Sequence, residues 1–274
     1  MVDEPVWICA TCGVEHARAE GVCAICSDER QWVPADGQKW ATLTELAHGD
    51  RQIRVTEVEP GLLGLTVEPK VGIGQQAHLI STSAGSLLWD VPPFIDEDAV
   101  AQLRQQGDVL AIAASHPHMF GVQVQWSRAL GGVPILVCEP LMEWVQRPDP
   151  AIVTWRGRCE VTAGVVLHEL GGHFVGSSVA HWPAGADGRG VLLVSDTIHA
   201  NPDRATVTFL RSYPNRIPLS AAVVERLTRA VEGLGVDRLY DNFGRTIDRD
   251  AAAAVRRSAD RYCGWVRGDF DHLT

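Results

Sequence analysis

Apolar residues alternate with polar ones in Ile53-Arg54-Val55-Thr56-Glu57-Val58 and in Ala77-His78-Leu79-Ile80-Ser81-Thr82, the period of strands with one buried face. Gly85-Ser86 then turns the chain into Leu87-Leu88-Trp89-Asp90, so these runs predict an antiparallel meander. The spacing changes over residues 96–106, where Val100 and Leu103 are apolar and Gly107 supplies a stop, which predicts a helix. Val109-Leu110-Ala111-Ile112-Ala113-Ala114 is a continuous apolar run and predicts a strand. A helix is expected over residues 122–130, closed by Gly131-Gly132, and a strand over Val133-Pro134-Ile135-Leu136-Val137. Shorter strands are expected near Val153, Val161 and Val165, and at Val191-Leu192-Leu193-Val194. Two helices close the chain. Over residues 220–234, Val223, Val224, Leu227, Val231 and Leu234 share a face; over residues 248–266, Val255, Ala259, Tyr262 and Val266 do. Strand groups twice interrupted by helices predict an α/β (α+β) chain of two sheets covered on their outer faces by helices. There is no short-period repeat.

At 274 residues the chain can bury one sizeable core with a small appended module. Its 46% hydrophobic and 21% charged residues are ordinary for a soluble globular protein. No apolar run approaches the roughly 18 residues of a membrane span, and Met1-Val2-Asp3-Glu4-Pro5 lacks the basic and apolar regions of an export signal, so a cytoplasmic protein without membrane contact is expected. A net charge of −10 argues against nucleic acid as a partner. The expected partner is a small-molecule substrate, with homo-oligomerisation left open. Seven cysteines, an odd number, favour metal ligation over a disulfide framework.

Cys9-Ala10-Thr11-Cys12 and Cys23-Ala24-Ile25-Cys26 form two CxxC turns, each able to aim two thiolates at one tetrahedral ion. A closed four-sulfur site leaves no position for substrate, so its Zn2+ is structural and supplies folding energy to a zinc-ribbon-like module over residues 1–38. His16, between the turns, is expected as a surface loop residue. Asp3, Glu4, Glu15, Glu20, Asp28 and Glu29 outnumber Arg18 and Arg30, so the module is expected to pack on the domain of residues 39–274 rather than on nucleic acid.

In Ser115-His116-Pro117-His118, directly after an apolar strand, two imidazoles one residue apart project to the same side. A third, His173, sits in Gly171-Gly172-His173-Phe174-Val175-Gly176, and Asp196 ends the Val191 strand. Loops at strand ends place side chains on a rigid scaffold, and three neutral imidazoles suit a second Zn2+ with a position left for water or substrate. A lone histidine is more often a satisfied core or surface group, so His48, His78, His168, His199 and His272 stay unassigned; His181 is equally a pocket or a core residue.

From about residue 50 to the C-terminus this order resembles the metallo-β-lactamase superfamily, whose signature is HxHxDH, then a histidine in a G-H-x-x-G turn, a strand-end aspartate and a last histidine. The resemblance implies an αββα sandwich with the metal site at one edge of the paired sheets. It implies that Asp196 either coordinates the zinc or holds a second metal weakly, and that Asp90 supports the histidine loop from behind, with a turn-forming aspartate as the alternative. Phe120 and Gly121 stand where the family has the Asp-His pair that binds a second metal and handles a proton, so a mononuclear site is expected. Phe209-Leu210-Arg211-Ser212-Tyr213-Pro214-Asn215 contains no last histidine; Tyr213 is there the candidate oxyanion donor, or a packed turn residue. The function expected is a metal-dependent hydrolase of a small ester, thioester, lactone or amide, with Asp196 as fourth ligand or proton acceptor. A lyase, isomerase or cyclase, or a catalytically silent binding protein, are the alternatives.

Overall fold

The computed structural model describes residues 5–162 and 164–274. The chain begins with a small antiparallel sheet in the order β2-β1-β3, made of β1 (Trp7–Cys9), β2 (Glu15–His16) and β3 (Trp40–Thr42). Trp40 pairs with Cys9, so the chain returns to the cysteine segment beyond residue 38. Helix α1 (Leu43–Ala47) then starts at a capping box, with the Thr42 hydroxyl accepting from the Glu45 N–H and the Glu45 carboxylate from the Thr42 N–H.

The expected meander follows, as β4 (Gln52–Glu59), β5 (Leu62–Glu68), β6 (Ala77–Thr82) and β7 (Gly85–Trp89). Strand β5 escapes a reading by alternation because Leu62, Leu65 and Val67 are buried with Gly64 between them. Helix α2 (Glu97–Gln105) crosses to β8 (Val109–Ala113), parallel to β7, and α3 (Gln123–Ala129) leads to the parallel strands β9 (Ile135–Cys138) and β10 (Ile152–Trp155). Asp96 caps α2 through Ala99 N–H and with its other oxygen accepts from Ile53 N–H, tying the helix to the far edge strand. Among the described residues these strands make a seven-stranded sheet in the order β10-β9-β8-β7-β6-β5-β4.

The second sheet begins with β11 (Arg158–Thr162), β12 (Val165–Glu169) and β13 (Ser178–Trp182), all antiparallel. The short turn α4 (Gly185–Gly188) leads to β14 (Val191–Leu193). Two small hairpins follow, β15 (His199–Ala200) with β16 (Val207–Thr208) and β17 (Leu210–Ser212) with β18 (Ile217–Pro218). Helix α5 (Ala221–Glu232) then brings in β19 (Arg238–Tyr240), parallel to β14, before β20 (Thr246–Ile247) and α6 (Ala251–Arg267). The order is β11-β12-β13-β14-β19-β20.

Strand alternation divides this sheet between two apolar layers. Val191, Leu193, Ala180 and Tyr240 join the layer shared with the first sheet, while Leu192, Val179 and Leu239 join Val224, Leu227, Val231, Val255 and Ala259 of α5 and α6. The cysteine segment is not a satellite of this architecture. Its Ile8, Val14 and Ile25 are fully or almost fully buried in the same apolar cluster as Trp89, Phe94 and Trp126. No helix among the described residues is long and apolar enough to cross a membrane.

Candidate metal centre

The loops that carry the candidate ligands gather where β7, β8, β12, β14 and β19 end. Asp90, one residue past β7, takes a left-handed backbone (φ 54°) that aspartate tolerates better than most residues, and its Oδ1 accepts the Ser115 N–H at 2.8 Å. This is the prop behind the histidine loop that the resemblance implied. Burial pushes the Asp90 carboxyl up to about 7, partly offset by that N–H bond. Beyond Ser115, His116 is extended and Pro117 starts a single 3-10 turn through Met119, which swings His118 to within 5.0 Å of His116, ring centre to ring centre. His173 is raised on two left-handed glycines, Gly171 and Gly172, and its ring lies 4.8 Å from His116 and 5.5 Å from His118.

Each outer ring nitrogen that is engaged turns the other toward one point. His116 Nδ1 is 2.9 Å from Ser115 Oγ, and His173 Nδ1 donates to the Leu210 carbonyl at 3.3 Å. The Nε2 atoms of His116, His118 and His173 and Oδ1 of Asp196 are buried without a hydrogen-bond partner among the described residues. Asp196 Oδ2 lies 3.4 Å from His116 Nε2 and 3.8 Å from His173 Nε2, and ligand atoms of all four residues lie within 4.8 Å of one another. A tetrahedral zinc with nitrogen and oxygen ligands has edges of about 3.4 Å, so this orphaned donor set fits a divalent ion. Burial holds His116 and His118 down to about 3, and His173 well below its ordinary value. The three imidazoles are therefore neutral and ready to ligate.

The cysteines make the second cluster. Cys9 Sγ is 3.6 Å from Cys26 Sγ and Cys12 Sγ 3.9 Å from Cys23 Sγ, against about 3.8 Å for the edge of a zinc–sulfur tetrahedron. Hydrogen bonding with Cys12 pulls the Cys9 thiol down to about 6, and hydrogen bonding with Cys23 holds Cys12 well above its ordinary value. His16 is not the surface residue expected. It is buried on β2, with Nε2 3.4 Å from Cys23 Sγ and its ring edge-on to Trp40, because the β1–β2 pairing turns it inward.

The departures from the family pattern are built into the backbone. Phe120 is buried, and Gly121 is left-handed (φ 48°) at a position where a Cβ would lie 2.3 Å from the Val91 carbonyl oxygen. No ligand side chain fits at 121. The stretch from Phe209 to Asn215 does not supply one either; the Tyr213 hydroxyl donates to the Asp196 carbonyl at 3.2 Å, and burial raises its pKa well above the ordinary range.

Two residues that sequence reasoning left out stand here instead. His199, set aside as a lone histidine, has Nδ1 3.7 Å from Asp196 Oδ1 and Nε2 3.5 Å from Asp241 Oδ2, with Arg245 Nη1 3.2 Å from the same Nε2. Asp241 follows β19, a strand of three residues too short to register as a pattern, and its Oδ1 accepts from the N–H groups of Phe243 and Arg245. Burial raises its pKa, with His199 opposing the shift. The signal that could have found His199 is its spacing, three residues past Asp196. His181 lies elsewhere, on β13 beside His168 at 6.0 Å.

A cavity of about 500 Å³ opens on His118, Asp196, His199 and Tyr213. Its rim carries Lys70, Phe243 and Arg245 from the main domain and Arg30, Gln31 and Trp32 from the cysteine segment. A larger depression of about 650 Å³ between α2 and α3 lies away from the clustered donors.

These buried groups set a pH dependence for the metal-free protein. His78, held by burial at about 4, His116 and His118 refuse protons that the unfolded chain accepts below about 6.5. Their contribution is complete above that pH and is lost as pH falls toward about 3. Asp90 acts oppositely, since its raised pKa makes the fold less favourable as pH rises toward 7. With six imidazoles held low by burial (His78, His116, His118, His168, His173 and His181) against three carboxyls held high (Glu15, Asp90 and Asp241), chelator-treated protein is expected to melt at progressively lower temperature from pH 7 to pH 4; a rising melting temperature over that range would contradict the burial argument.

No protein-family model matches the chain. Over 273 residues it is 40% identical to the uncharacterized protein YmaE of Bacillus subtilis (strain 168), covering 98% of this chain and 99% of that one. The solved DIM-1 metallo-β-lactamase superposes with a TM-score of 0.56 at 11% identity, over 77% of this chain and 97% of its own. The metallo-β-lactamase FIM-1 from Pseudomonas aeruginosa, in its mono-zinc form, does so with a TM-score of 0.54 at 14% identity, over 77% and 96%. The αββα arrangement expected from the resemblance is therefore the observed one.

Proposed function

The chain belongs to the same family as the uncharacterized YmaE protein of Bacillus subtilis and has the metallo-β-lactamase fold, and from that premise we propose that it is a metal-dependent hydrolase of a small ester, thioester, lactone or amide. The observation that carries this reading is the buried cluster of four ligand residues, in which the Nε2 atoms of His116, His118 and His173 have no hydrogen-bond partner among the described residues and His118 and Asp196 face one cavity. His116, His118, His173 and Asp196 would hold a single Zn2+, and Cys9, Cys12, Cys23 and Cys26 a structural one. When bound among the histidines, zinc supplies Lewis acidity toward a carbonyl oxygen and acidifies water. The remaining work falls to side chains. His199 Nδ1, facing Asp196 and the cavity, takes the proton that the absent family aspartate would handle. Asp241, held by two backbone N–H groups, fixes the ring from the other side. Tyr213 holds the Asp196 main chain in place.

The test is hydrolysis of a panel of small esters, thioesters, lactones and amides by chelator-stripped and zinc-restored protein. Activity that appears only on restoration is expected, and His199→Gln should keep the metal while lowering kcat about 10²- to 10⁴-fold. Equal activity in stripped protein, or no metal at the histidines, rejects the reading.

A further inference from the structure

The cysteine segment touches both loops that carry the histidines. From one side, Glu15 N–H donates to the Gly121 carbonyl at 2.9 Å, and the Glu15 carboxylate accepts the Val124 N–H at 2.5 Å at the start of α3, with Arg147 paired to its other oxygen at 2.8 Å. Residues 116–121 are thereby pinned a few residues beyond His118. From the other side, Arg30, only 7% exposed, donates from Nε to the His173 carbonyl at 2.7 Å. Its guanidinium lies 4.0 Å above the Phe174 ring and is paired with Asp28 at 2.7 Å. Phe174 in turn contacts all three imidazoles, at 5.8 Å from His116, 5.2 Å from His118 and 5.1 Å from His173. The main domain seats this arm through Asn215 Nδ2, which donates to the carbonyls of Glu29 and Gln31 at 2.8 and 3.1 Å.

We propose that the four-cysteine module forms the outer shell of the histidine site, with Arg30 a positioning residue for His173 and Phe174, so that metal held by the cysteines raises the metal affinity of the histidines. The proposal rests on the metal-site reading above. Arg30 lies four residues after Cys26, so the conformation of the second CxxC turn decides where its guanidinium lands. A planar guanidinium can donate to a carbonyl while stacking on an aromatic face, which an ammonium cannot reproduce. Partners of this kind typically change metal affinity 10- to 100-fold, and linkage makes the coupling reciprocal.

The experiment is a chelator-competition titration of the full-length protein with Co2+, which reports thiolate and imidazole sites by separate absorption bands. Arg30→Met is expected to weaken the histidine site about 10- to 100-fold while the thiolate bands keep their position and intensity. Arg30→Lys should recover part of the loss, through a donor without the stacked plane. Where the methionine variant does not fold, Asn215→Ala unseats the same arm and should weaken the histidine site in the same direction. Affinity within twofold of the parent protein in the folded variants overturns the proposal alone; a parent histidine site that takes no Co2+ overturns the metal-site reading together with it.

Discussion

His118→Ala protein is expected to leave purification with about one metal ion where the parent carries about two, and to lose turnover by about three orders of magnitude or more. The reason is geometric. His118 Nε2 is buried and unpartnered among the described residues, so no hydrogen bond competes for it as a ligand. Removing one of three imidazoles leaves His116, His173 and Asp196 around a gap where a nitrogen donor stood, so the ion is held weakly enough to be lost during purification. The Lewis acidity lost with the ion is worth several kcal/mol of barrier, and each 1.36 kcal/mol is tenfold in rate. The fold should survive, because the ring lines the cavity and its Nε2 has no hydrogen-bond partner among the described residues. Elemental analysis with the hydrolysis assay decides the matter; a variant with two ions and full turnover would remove His118 from the site.

Cys26→Ser is expected to act on folding instead. Structural zinc contributes about 10–16 kcal/mol of apparent binding energy in small modules, comparable to the roughly 5–15 kcal/mol of net stability of a whole domain. Here Cys9, Cys12, Cys23 and Cys26 are buried beside Ile8 and Ile25 in the same apolar layer as Trp89 and Trp126, so losing the module opens part of the main core. The variant should be largely insoluble or melt at least about 10 °C lower, whereas Cys159→Ser, on β11 and outside the cluster, should change little. Thermal melts of the two proteins side by side test this, and equal melting temperatures would show a module that folds without its metal.

Elements whose apolar period ran for several residues were legible from the chain itself. The meander strands β4, β6 and β7, helices α2, α3, α5 and α6, and strand β8 lie where the chain's pattern puts them. Strands β5, β13 and β19 were not legible, for different reasons. Gly64 interrupts β5, Ser178 and His181 give β13 a polar pattern although all five of its residues are buried, and β19 spans only three residues. Strands like these are defined by the partners they pair with, and pairing between distant segments leaves no local period.

The chain by itself determined the chemistry of the two clusters. Spacing within a turn is a local property, so CxxC, His-Pro-His and the glycine-flanked His173 announce their ligand geometry from a few residues each. Tertiary structure decided everything that depends on meeting across the fold. It set His199 between Asp196 and Asp241, the latter 42 residues further along the chain, and closed position 121 to any side chain by laying the Val91 carbonyl against it. It also moved Arg30 from a polar loop to the back of His173, 143 residues away. These relations are set by strand order and loop packing, in which the contribution of each residue depends on neighbours that its local sequence does not specify.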